Sequence, residues 1–124
     1  AATDVTGFGL LGHLHRMLRA SGLAAEVRAD AVPLLPGALA LAAAGLVPGG
    51  TNANMSHLAD FVTVAAGVPR EVAVLLHDAQ TSGGLLLAVP GDPTSLLAEL
   101  RGHGLPAALV GQVTDGEPGR IAVV

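Results

Sequence analysis

Cysteine is missing from all 124 residues of this chain, and so are lysine, tryptophan and tyrosine. Without cysteine the chain has no disulfide, no thiolate metal site and no thiol nucleophile. Without lysine it has neither the phosphate-gripping lysine of a P-loop nor a Schiff-base amine. Aromatic residues are 2% of the chain, Phe8 and Phe61 alone, so a core must be assembled from leucine, valine and alanine with close backbone approach. All six cations are arginines, scattered along a chain of net charge −4. With no basic run and no stacking platform, nucleic acid is not expected as a partner. Glycine, proline and charge interrupt every apolar run before the roughly 18–20 residues of a membrane span, so no membrane partner is expected either. The length suits one domain with a real core. The chain opens Ala1-Ala2 directly on a motif, with no initiating methionine or signal peptide, and reads as a segment of a longer cytoplasmic protein.

What is present begins at that motif, where Asp4, Thr6, Gly7, Gly9 and Gly12 surround the start of a helical pattern. Leu10, Leu14, Met17 and Leu18 recur at i, i+4, i+7 and i+8, one apolar stripe of a helix predicted over about Gly7–Ser21. Gly22 supplies a C-terminal stop, and Arg16 and Arg19 sit where cations suit the helix dipole. Thr6 is placed as the N-cap, with free amides behind it that would favour an anion. Asp4 lies just outside, where its carboxylate could hold a cation against that anion. The competing reading is an ordinary capped helix whose glycines only shape a turn. Gly9 and Gly12 each cost a helix about 1 kcal/mol against alanine, which suggests a close neighbour at its backbone. His13 and His15, two apart, face different sides of a helix and read as surface or capping residues, not zinc ligands.

Further along, Leu23–Arg28 reads as a strand. Gly37–Ala44 reads as a helix ended by Gly45, apolar nearly all round and so expected to be buried on more than one face. Val47–Asn54 reads as a loop, in which Gly49 and Gly50 bare backbone amides and Thr51, Asn52 and Asn54 add polar groups; composition alone favours an ordinary polar turn. Met55–Ala66 fits either a helical stripe or, near its end, a strand. Pro69–His77 is a short helix that delivers Asp78–Gly84, followed by an apolar strand over Leu85–Val89 expected to be buried. The turn Asp78-Ala79-Gln80-Thr81-Ser82-Gly83-Gly84 gathers acceptors, hydroxyls and glycine amides, which suits an oxyanion or ribose and equally an ordinary tight turn. Asp92-Pro93 begins a helix carrying Leu96, Leu97 and Leu100. Ala107–Val113 and Arg120–Val124 are strands joined at Asp115–Gly119 in a predicted hairpin. His57, His77 and His103 are given no chemical role. The mixture predicts an α+β fold, a mixed β-sheet packed with helices.

Three of these stretches carry a family resemblance. Thr3-Asp4-Val5-Thr6-Gly7-Phe8-Gly9-Leu10-Leu11-Gly12-His13 closely resembles the motif opening the C-terminal domain of the selenophosphate synthetase (selenide, water dikinase) family. Asp78-Ala79-Gln80-Thr81-Ser82-Gly83-Gly84-Leu85-Leu86 resembles that family's D-P-Q-T-S-G-G-L-L, and Pro48-Gly49-Gly50-Thr51-Asn52-Ala53-Asn54 its P-G-G-T-x-x-N. The order is the family's, and the match covers nearly all of the chain. The resemblance implies the C-terminal domain of an aminoimidazole ribonucleotide synthetase-like enzyme that converts selenide, ATP and water to selenophosphate, AMP and phosphate with Mg²⁺. It implies Asp4 as a metal ligand, and Thr3, Thr6, Gly7, Gly49, Gly50, Thr51, Asn54, Asp78, Gln80, Thr81, Ser82, Gly83 and Gly84 as loops of the ATP site. The implied partners are ATP, selenide and an N-terminal domain that carries the nucleophile and lysine, in a homodimer when full-length; the fragment alone is then inactive. One departure stands out, Ala79 in place of proline. The alternatives are a sister enzyme (aminoimidazole ribonucleotide synthetase, thiamine-monophosphate kinase or the hydrogenase-maturation type) or a non-catalytic binding domain of the same fold.

Overall fold

The computed structural model describes residues 1–124 as six strands and five α-helices. In chain order these are β1 (Ala2–Val5), α1 (Gly9–Ser21), β2 (Ala24–Val27), α2 (Ala38–Ala43), α3 (Gly49–Leu58), β3 (Val62–Val64), α4 (Arg70–Leu76), β4 (Gly84–Leu87), α5 (Thr94–Gly102), β5 (Gly111–Thr114) and β6 (Ile121–Val123). A one-turn 3₁₀ helix follows β2 at Ala29–Ala31. The architecture is α+β with a mixed sheet, as the pattern predicts. No helix is long and apolar enough to cross a membrane.

Four strands form a sheet in the order β3-β6-β2-β5, with β6 parallel to both β2 and β3 and β5 antiparallel to β2. The predicted hairpin is therefore wrong: β2 lies between β5 and β6. The 115–119 turn arches over the start of β2 instead of reversing beside it. The Gly119 amide donates to the Leu23 carbonyl, and a Cβ on Gly116 would stand only 3.0 Å from that of Ala24. Small residues are what let the crossing connection pass so close.

The core is the face of α1 laid on this sheet. Leu11, Leu14 and Leu18 meet Val27, Ile121 and Val123, and Leu58, Leu76, Val5 and Leu86 close the cluster. It holds no aromatic ring, as two phenylalanines in 124 residues dictate. α1 ends as expected at Gly22, which takes the left-handed conformation at φ 71° and lets Leu23 close back on Leu18.

Four expectations about elements fail. Residues 2–5 form a strand that the sequence reading missed, pairing antiparallel with β4 as a separate two-stranded ribbon. β4 is not a buried strand: Leu86 alone is buried, and Leu85 is 74% exposed, because a ribbon of two strands has only one covered face. α2 has no buried residue, so an apolar composition all round did not translate into burial. The 47–54 stretch is not a loop, because α3 starts at Gly49 with Pro48 preceding it and the Pro48 carbonyl accepting from the Thr51 and Asn52 amides. Gly49 and Gly50 keep ordinary helical φ. Gly50 serves close approach instead, since a Cβ there would come within 2.9 Å of the Ala79 side chain.

Candidate functional site

The three motif stretches meet at the N-terminal ends of α1 and α3 and the C-terminal end of α4. Asn54, on α3, spends its two side-chain N–H groups on two different motifs: Nδ2 donates to the Gly7 carbonyl at 3.0 Å and to the His77 carbonyl at 2.9 Å. Thr51, one turn earlier and fully buried, donates its hydroxyl to Asp78 Oδ1 at 3.2 Å and accepts the Ala79 amide at 3.0 Å. Thr81 donates to the other Asp78 oxygen at 3.1 Å. Asp78 is thus an anchor between two hydroxyls, holding the loop that follows α4 against the first turn of α3. Gly7 lies against the Ala79 carbonyl, to which a Cβ would be 3.8 Å away.

Ala79 takes on a role here. A proline at this position would have no N–H to give Thr51. This chain therefore fastens the loop with a backbone hydrogen bond where the family pattern has a locked φ.

Two histidines that received no chemistry turn out to hold the site. His77 is buried, and its Nδ1 lies 2.8 Å from the Ala73 carbonyl, so that nitrogen carries the proton. Burial pushes its pKa below the ordinary value of 6.5, partly countered by that hydrogen bond. Gly9 packs directly on its backbone, where a Cβ would be 2.6 Å from the carbonyl carbon. His13 is also buried, which overturns its reading as a surface residue. Its Nε2 accepts the Thr6 amide at 3.1 Å and lies 3.0 Å from the Thr6 hydroxyl. Helical periodicity could not have found this contact, because Thr6 lies outside α1, between β1 and Phe8.

That contact corrects the capping assignment. Phe8, not Thr6, occupies the N-cap of α1 and makes no side-chain cap; Thr6 stands two residues earlier, its hydroxyl turned to His13. His15 is likewise buried, with Nδ1 2.9 Å from the Gly119 carbonyl.

Asp4 is exposed on β1, opposite Leu85 on the open side of the ribbon. Its carboxylate makes no ion pair and no hydrogen bond to the loops. Its backbone is within about 11 Å of Gly7 even if the intervening chain is fully extended. No group of three or more His, Asp or Glu gathers as a metal cage. For Mg²⁺, which takes oxygen ligands and keeps several waters, the motif residues offer Asp4 as an unencumbered carboxylate, a fit for a shared site and not for a complete one. Thr3 directs its hydroxyl to the Asp4 carbonyl. Gln80, Ser82, Gly83 and Gly84 are exposed, and Gly83 has a positive φ of 97° that only glycine adopts easily.

The family described as AIR synthase related protein, C-terminal domain, matches residues 1–124. The chain belongs to this family. Within it, the chain is 44% identical over 120 residues to a protein of Myxococcus xanthus named selenide, water dikinase, covering 96% of this chain and 34% of the relative. It is 48% identical over 128 residues to the protein of that name from Nitratidesulfovibrio vulgaris, covering 100% of this chain and 36% of the relative. The Escherichia coli O6:H1 protein of that name is 44% identical over 124 residues, at 99% and 35% coverage. The chain thus spans about a third of the length of these curated relatives. A thiamine-monophosphate kinase from Stenotrophomonas maltophilia shares the fold, with a TM-score of 0.54, 21% identity, and coverage of 99% of this chain and 30% of that one.

Proposed function

We propose that this chain is the C-terminal domain of a selenide, water dikinase, a cytoplasmic and homodimeric enzyme that makes selenophosphate, AMP and orthophosphate from selenide, ATP and water with Mg²⁺. The observation that carries the reading is Asn54, whose amide hydrogens bond the Gly7 and His77 carbonyls together. One side chain ties the motif around Asp4 to the motif around Asp78, which supports a common purpose for both. The identity of 44–48% to relatives of that name supports the selenium branch in particular.

In this reading Asp4 contributes one oxygen to a Mg²⁺ ion completed by other carboxylates and by phosphate. The ion supplies charge neutralisation at the transferring phosphoryl group. Gly7 and Gly83 keep the backbone beside that phosphate bare of side chains, and Thr3, Thr6, Gln80, Thr81, Ser82 and Gly84 border it. Thr51, Asn54, Asp78 and Gly50 hold the two loops at a fixed separation and touch no substrate, and Gly49 opens the helix that carries Thr51 and Asn54. Nucleophile and lysine come from the remainder of the enzyme, since this chain has neither.

The test replaces the matching third of the Myxococcus xanthus enzyme with this chain. A chimera that unfolds cooperatively is expected to release AMP only when selenide is present, and Asp4→Asn in it to lower that rate by about a hundredfold. A folded chimera that hydrolyses no ATP in response to selenide would overturn the reading.

A further inference from the structure

We propose that the cleft between α1 and the C-terminal end of α3 binds a small phosphoryl oxyanion, gripped by Arg16 and Arg19 with His15 and His57 beside them. The proposal is independent of the function above and concerns the face of α1 that carries Phe8, Gly12 and His15, not the loops tied by Asn54.

The cleft is about 410 Å³, within the size range of small-ligand sites. Arg16, Arg19, His15 and His57 line it, and no aspartate or glutamate does. In a chain with ten acidic residues against six arginines, two arginines one helical turn apart would ordinarily find carboxylates. Neither does: the molecule's one ion pair joins Arg120 to Glu117. Each guanidinium is instead laid over a phenylalanine, Arg16 at 5.9 Å from the Phe8 centroid and Arg19 at 6.0 Å from that of Phe61. The only two phenylalanines of the chain are both used this way. An aromatic face restrains a guanidinium while leaving its edge N–H groups free, which is the preorganised fork that phosphate oxygens fit.

His15 adds the polar group that points to a ligand. Its ring packs 4.4 Å from Phe61, and Nδ1 faces the Gly119 carbonyl, so Nδ1 holds the proton. Nε2 has no partner in the protein, yet it is not sealed from solvent. It can accept from a protonated phosphate oxygen or, as imidazolium, donate to a bare one. Two forks and an imidazole supply more donors than a single carboxylate can use, and they match a phosphate with three free oxygens.

The experiment titrates the chain separately with inorganic phosphate, pyrophosphate and AMP at fixed pH and ionic strength, following the histidine ring signals by NMR. Saturable one-to-one binding in the millimolar range is expected, with the largest shifts at His15 and His57. Inorganic phosphate and pyrophosphate binding more tightly than AMP would assign a free anion, and the reverse order a phosphate ester. Arg16→Gln and Arg19→Gln are each expected to weaken binding about tenfold. Arg70→Gln, an exposed arginine elsewhere on the surface, leaves it unchanged. Thermal unfolding of each variant checks that it folds; the ring shifts of the unaltered chain test the site even where a variant does not. The absence of saturation by tens of millimolar, shifts reproduced by chloride at equal ionic strength, or equal losses in all three variants would overturn the proposal.

Discussion

Thr51 is sealed from solvent and its single hydroxyl works in both directions, accepting from Ala79 and donating to Asp78. Thr51→Val keeps the shape and leaves the amide and the carboxylate short of a partner, at a cost of about 1–3 kcal/mol. Thr51→Ser should recover most of that in urea unfolding; a loss in Thr51→Ser larger than that in Thr51→Val would mean that the methyl group, not the hydroxyl, matters. His77 gives a pH signature. Its folded-state pKa is lowered by burial, so the unfolded chain binds the proton first as pH falls. The stability it contributes is fully present above about pH 6.5 and is lost as pH falls from there through the folded pKa. The slope of unfolding free energy against pH just below 6.5 is therefore expected to be steeper in the native chain than in His77→Gln. Parallel slopes would show that this ring stays in a water-like setting.

At the level of elements, the helices with a strong period were legible and the connections were not. α1 announced itself through its leucine stripe and its glycine stop, and both stand. α3 did not, because Gly49-Gly50-Thr51-Asn52 has poor helix propensity, and what makes it helical is the Pro48 carbonyl and the packing of Gly50 on Ala79. The hairpin between β5 and β6 failed for a similar reason: five turn residues suffice both to reverse and to cross, and only tertiary packing over Ala24 decides. Two glycines with nearly the same φ separate conformation from contact. Gly22, at 71°, has nothing near its missing Cβ, whereas Gly9, at 70°, lies on the His77 backbone. Gly22→Ala is expected to cost about 1 kcal/mol, the strain of a left-handed alanine alone. Gly9→Ala adds a collision with backbone that cannot move aside, and the total should exceed about 3 kcal/mol. Similar values from denaturant unfolding would mean that α1 shifts away from α4 without penalty.

For the molecule as a whole, the site was half legible. The motifs named the residues, but nothing in their order said that Asp78 would be consumed by two threonines or that Asn54 would be the tie. Those roles depend on where three distant segments meet, which pattern alone does not encode. The same geometry limits what this chain can do unaided. Asp4 is one exposed carboxylate with no acidic companions, and a hard divalent ion held by one carboxylate keeps most of its water and little affinity. With Asp78 already bonded and no lysine to meet the phosphates, the chain has no strong grip on a nucleotide; the arginine cleft alone gives millimolar affinity. Calorimetric titration with Mg-ATP is therefore expected to show a Kd no tighter than about 0.1 mM, equivalent to roughly −5.5 kcal/mol, and no AMP release on adding selenide. Micromolar binding that is lost in Asp4→Asn would show that this chain builds its own metal–nucleotide site, with ligands that the exposed ribbon does not reveal.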